Sequence, residues 1–91
     1  MHSNSPLSLD EINQLPAAEA IILFSQYIEI HPEDDEAFTL RGLKHWGLNH
    51  RKEAINDYLA ALRINPNSRA KLALEFANSI LDFYNKDLLN P

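Results

Sequence analysis

The sequence predicts an all-α fold: antiparallel helix-turn-helix pairs stacked into one short array of about five helices. Three observations carry that expectation. The chain repeats with a period of 34 residues, prolines divide it at intervals suited to helices, and the apolar residues between them recur every 3.6 residues, as on a buried helix face. The repeat runs without gaps: Glu19-Ala20-Ile21 returns as Glu53-Ala54-Ile55, Phe24 as Tyr58, Ile28 as Leu62, Ile30 as Ile64 and Pro32 as Pro66. No segment alternates apolar and polar residues over a strand's length, so a sheet is not expected.

The first helix is short, about residues 9–14, opened by Ser8 and Glu11 at capping-box spacing, with Leu9, Ile12 and Leu15 as its apolar stripe. Pro16 suits the first position of the second helix, which runs to Ile30 and stops before Pro32. A third helix covers about residues 35–48. Glu33-Asp34-Asp35-Glu36 stands at its start, where acids favour the positive end of the helix dipole. The fourth, about 51–64, places Ala54, Ile55, Tyr58, Leu59 and Leu62 on one face. The fifth runs from about 68 to 84, leaving 85–91 as a tail. Connections of a few residues force neighbouring helices to pack antiparallel.

Size and composition narrow the function. Ninety-one residues make one domain, and 45% hydrophobic with 23% charged residues is the balance of a globular chain. A net charge of -5 repels phosphate backbones and anionic lipid surfaces, so neither nucleic acid nor a membrane is an expected partner. Without cysteine there is no disulfide, thiol catalysis or thiolate metal site. Residues 1–6 lack the basic segment and apolar run of a signal peptide, and no stretch reaches the length of a membrane span, so a cytoplasmic protein is expected. Enzyme chemistry has no foothold. His2, His31, His45 and His50 include no pair three or four apart, and the spacing of five between His45 and His50 straddles a helix end. Gly42 and Gly47 both fall in the third helix, not in a phosphate loop, and Ser25 and Ser79 lack a nucleophile motif. No metal, cofactor or catalytic residue is expected.

Residues 35–68 resemble one tetratricopeptide repeat. Phe38 stands at the first aromatic position, Gly42 at the small position of the first helix, Ala54 and Ala61 at the small positions of the second, Tyr58 at its aromatic and Pro66 at the close. Arg41 and His45 depart from the family, which has Leu and Tyr there. Residues 1–34 read as a degenerate preceding repeat that keeps Ala20, Phe24 and Pro32, and residues 69–84 as a capping helix with Phe76 at the small position. The resemblance implies a right-handed α-solenoid in which Ala20, Phe24, Pro32, Gly42, Ala54, Tyr58, Ala61 and Pro66 are packing residues.

It also implies recognition of another protein or peptide on the concave face formed by the first helix of each pair. Those positions include Leu9, Ile12, Thr39, Leu40, Leu43, Trp46, Ala73, Leu74, Ala77 and Leu81, mostly apolar. Thr39, Leu40, Leu43, Ala70 and Leu74 replace the Lys, Arg and Asn that grip a peptide carboxylate in one subgroup, so no such clamp is expected. On a helical wheel, the apolar residues of the fifth helix span an arc of roughly 200°, more than the ~100° that one core contact requires. The expected partner-binding residues are Leu40, Leu43, Trp46, Leu74, Ala77 and Leu81, with Leu88 at the margin. Two occupants remain open at this stage: an apolar helix or segment of a partner, or a second copy pairing as a homodimer through the same strip. The third helix and the tail could also cover the strip internally.

Overall fold

The computed structural model describes the backbone of residues 7–89 and the side chains of residues 7–81. It is all-helical over those residues, with α1 (Leu9–Asn13), α2 (Ala17–Ile30), α3 (Asp35–Gly47), α4 (Arg51–Ile64) and α5 (Ala70–Leu89). The helix boundaries follow local chemistry. Ser8 caps α1 through a full capping box: its Oγ accepts from the Glu11 N–H at 3.2 Å, and its own N–H donates to Glu11 Oε1 at 2.8 Å. Pro16 lies one position earlier than expected, as the N-cap of α2, because its ψ of 148° is extended while its carbonyl already accepts from the Ala20 N–H. Residues 31 and 65 leave the helical region because each precedes a proline, which ends α2 and α4.

The α2–α3 turn explains the acidic run. Asp34 is the N-cap of α3, accepting from the Glu36 N–H on Oδ1 and from the Tyr27 hydroxyl on Oδ2. Glu36 pairs with Arg69, and Asp35 accepts from Asn65. The α5 boundaries differ from the expectation at both ends. Ser68 is not helical; its Oγ accepts from the Ala70 N–H at 3.1 Å, and the helix begins there. At the other end, residues 85–89 of the expected tail continue the helix. The Leu88 side chain and the rest of the tail lie outside the described residues, as do residues 1–6.

Paired contacts give the helix directions. Gly42 meets Tyr58, Arg41 meets Asp57 and Asp35 meets Asn65, so α3 and α4 run antiparallel. Thr39 meets Ser68 and Trp46 meets Phe76, so α3 and α5 run parallel. The core has two clusters. One joins Ile12, Ala20, Phe24 and Leu40 where α1 and α2 meet α3, and the other joins Ala54, Tyr58, Ala61, Ala70 and Ala77 between α4 and α5. The residues named for repeat packing fall on this scheme: Ala20, Phe24, Ala54, Tyr58 and Ala61 are at most 1% exposed, Gly42 is buried, and Pro32 and Pro66 are exposed in turns.

Two polar ties cross the core. Thr39 donates to the Asp35 carbonyl, which uses its single hydroxyl proton, so in the buried 3.2 Å contact with Ser68 the serine is the donor. Arg41 spans three helices. Its Nε and one terminal nitrogen grip Asp57 at 2.9 and 2.7 Å, the other terminal nitrogen donates to Ser25 Oγ at 3.0 Å, and the guanidinium lies 5.5 Å from the centre of the Phe38 ring. Ser25 in turn donates to the Ile21 carbonyl.

The two glycines should respond oppositely to alanine in urea unfolding. A Cβ on Gly42 would sit 2.6 Å from Tyr58 Cε1 and 3.1 Å from Asp57 Cβ, and the Tyr58 ring is buried and cannot swing away, so Gly42→Ala should cost about 1–3 kcal/mol. A Cβ on Gly47 meets nothing within 4 Å, so Gly47→Ala should be neutral or stabilising by about 0.5 kcal/mol. Asp57→Ala should cost about 3 kcal/mol, because it strands Arg41 with its side chain only 21% exposed. The double variant Arg41→Leu with Asp57→Leu should recover much of that loss.

Candidate partner-binding surface

The expected contact strip divides once the helices are packed. Leu40 is 5% exposed beneath α1 and α2, and Ala77 is 1% exposed against α4, so neither can meet a partner. Leu74 is half-buried against the Ala54–Tyr58 cluster, and Leu81 is half-buried. Leu43 remains 43% exposed, and Trp46 is half-buried with one edge toward Phe76, ring centres 6.4 Å apart. Among the described side chains of α5 the open large apolar ones are Leu72 and Phe76, 71% and 59% exposed, on the flank opposite the one expected.

The reason is side-chain size. Ala70, Ala73 and Ala77 lie on one stripe of α5, and three alanines let that stripe approach α4 more closely than leucines could. The helix therefore turns its alanines inward, carries Leu74 into the groove edge and leaves Leu72 and Phe76 outward. The i, i+3, i+7 alanine spacing was visible in the sequence as the signal for this rotation. The resulting surface is an exposed leucine-phenylalanine pair beside Trp46, whose face is covered by the Arg51 guanidinium at 4.8 Å.

A second open apolar feature flanks α2. A groove of about 360 Å³ is lined by Leu7, Ile12, Leu23, Gln26, Tyr27, Ile30 and His31, and Ile30 is 71% exposed. An adjoining depression runs from Ile30 across Pro32 to Glu33 and Asp34. Among the described residues α1, five residues long, covers just part of α2, which leaves this groove.

His45 and His50 do meet, with Nδ1 atoms 3.2 Å apart. Asn49 takes a left-handed conformation (φ 67°), the His50 N–H donates to the His45 carbonyl and the Asn49 N–H to the Trp46 carbonyl. That is a Schellman turn, which brings together the side chains at these two positions. Among the described residues no group of three or more His, Asp or Glu side chains gathers as a metal site. No described helix is long and apolar enough to cross a membrane.

Burial is the main cause holding the His45 pKa below the ordinary histidine value; His50 and Arg41 lower it further, against the opposing pull of Asp57 and Glu53. Below pH 6.5 the unfolded chain therefore binds a proton that the folded chain still resists. The stabilisation is complete above pH 6.5 and is lost as pH falls through the depressed folded value. Urea midpoints measured between about pH 5 and 8 should fall on the acid side, and His45→Gln should flatten that slope.

No protein-family model matches this sequence, and no curated protein or solved structure is significantly similar to it.

Proposed function

We propose that this chain is a tetratricopeptide-repeat-like interaction module that binds an apolar helix or segment of another protein. The observation that carries the reading is the uncovered Leu72–Phe76 face on the last helix, continuous with Trp46. A surface helix normally turns polar residues to solvent, whereas α5 exposes two large apolar side chains in successive turns. The repeat-like arrangement is supported by the antiparallel α3–α4 pair, its glycine-tyrosine approach and the parallel placement of α5 beside α3.

The anchors are Phe76, Leu72, Leu43 and Trp46, since large aromatic and aliphatic groups that become fully desolvated carry most of an interface's energy. Arg51, over the Trp46 ring, and Lys52 beside it in sequence would form the polar rim at the α4 end of this face. Helix-in-groove recognition requires an apolar stripe at i, i+3 and i+4 on the partner, which makes an amphipathic helix the fitting ligand.

A library of amphipathic helical peptides screened against the chain should return binders whose affinity falls by about 30-fold or more in Phe76→Asp. Far-UV circular dichroism of that variant should match the parent, because Phe76 makes little of the core. Leu74→Asp should instead lower the thermal midpoint. Unchanged peptide affinity in Phe76→Asp would remove this surface as the binding site.

A further inference from the structure

Five residues of straight helix would point His45 and His50 apart, and the left-handed residue between them, Asn49, removes that separation. His45 stands in the last turn of α3 and His50 is the N-cap of α4. The His50 N–H on the His45 carbonyl at 2.8 Å and the Asn49 N–H on the Trp46 carbonyl at 2.9 Å hold the turn, and Arg51 Nε donates to the Asn49 side chain at 2.9 Å. The two Nδ1 atoms are left facing each other at 3.2 Å, with ring centres 5.4 Å apart.

We propose that His45 Nδ1 and His50 Nδ1 together chelate a divalent transition-metal ion of the zinc type, with water completing its coordination. The distance suits such an ion. Zinc–imidazole bonds are about 2.0–2.1 Å long, so two nitrogens 3.2 Å apart subtend an angle of about 100–105° at the metal. That is close to the tetrahedral value of about 109° and well above the roughly 90° of octahedral and square-planar sites. Imidazole also selects zinc, copper or nickel over calcium and magnesium, which require oxygen donors. Among the described residues no third His, Asp or Glu joins the pair, so the site is an open one with two positions left to water.

The hydrogen bonding is compatible with this role. Without metal, two neutral rings make the 3.2 Å contact with one Nδ1–H donating to the other Nδ1. The ion takes the place of that proton: the donor ring changes through solvent to its Nε2–H tautomer, both Nδ1 lone pairs become ligands, and no net proton is released. The rings must tilt to converge on the metal, and the exposure of His50 and partial exposure of His45 allow it without backbone movement. Burial holds the His45 pKa below the ordinary value, which keeps that ring neutral at pH 7. Asp57 and Glu53 place negative charge near His45, while the charge of Arg41 is already met by its pairing with Asp57. A bound ion would clip the end of α3 to the start of α4 beside Trp46.

The test titrates Zn2+ alone into the full chain by calorimetry, near pH 7 and in a buffer that does not coordinate metal. His45→Ala and His50→Gln should each weaken binding by about tenfold or more, since loss of even an outer partner of a metal ligand costs about 10–100-fold. His31→Ala and His2→Ala should bind as the parent does, and Mg2+ at about 1 mM should not compete. Cu2+ gives a second, local readout: it should quench the fluorescence of Trp46, the one tryptophan of the chain, and His50→Gln should remove that quenching. The His50 ring is exposed, so His50→Gln should keep the circular dichroism of the parent and decides the matter if His45→Ala loses its fold.

Zn2+ affinity that is unchanged in His50→Gln, or that is lost in His2→Ala instead, would overturn the site. So would binding by the parent only at Zn2+ concentrations on the order of 1 mM or above, the behaviour of isolated surface histidines.

Discussion

The approach of α3 to α4 at Gly42 is the constraint on which the other contacts depend. The Tyr58 ring lies where any side chain at position 42 would have to go, and Ala54 and Ala61 keep the same interface thin one turn to either side. With α4 held that closely, α3 becomes the element against which everything else is placed. Its Leu40 flank receives α1 and α2, and its Thr39 hydroxyl positions Ser68, the residue that starts α5. The location of Trp46 beside Phe76, and hence the character of the exposed surface, follows from this chain of contacts.

Much of this architecture was legible because helices announce themselves by periodicity and proline. Pro32 and Pro66 determine the ends of two helices through the residues before them, and the 34-residue register located Gly42, Ala54 and Tyr58 on facing helices before any coordinate was known. What stayed hidden depends on which half of a wide apolar arc is covered. A helical wheel of α5 weighs Leu74 and Leu72 alike, and only the closeness of the α4 contact chooses the alanine stripe over the leucines. The same limit applies to Leu40, whose burial requires residues of α1 and α2 to reach it across 16 to 28 positions of sequence.

Polar partnerships were harder still. Arg41 stood out as a departure from the repeat pattern, but its bond to Asp57 is a contact between helices that no spacing rule identifies. The spacing of five between His45 and His50 is not a helical one and predicts no contact. One left-handed residue, Asn49, changes the arithmetic by folding the chain back at that point. The acidic run at 33–36 shows the reverse case, where a simple expectation about helix dipoles gained detail: Asp34 caps, Glu36 reaches Arg69, and Asp35 reaches Asn65.

The Arg41 tie bears on how the molecule comes apart. Its two apolar clusters share no buried residue; one belongs to α1, α2 and the outer flank of α3, the other to α4 and α5 with Phe38 and Trp46 of α3 packed against it. In a linear array of this kind, cooperativity is only as strong as the coupling between neighbours. Arg41 holds Ser25 on one side and Asp57 on the other, so a single side chain links the hydrogen bonding of both halves. Opening of the N-terminal helices therefore breaks the Arg41–Ser25 hydrogen bond together with the apolar contact to Leu40, so it depends on a guanidinium group as well as on apolar burial.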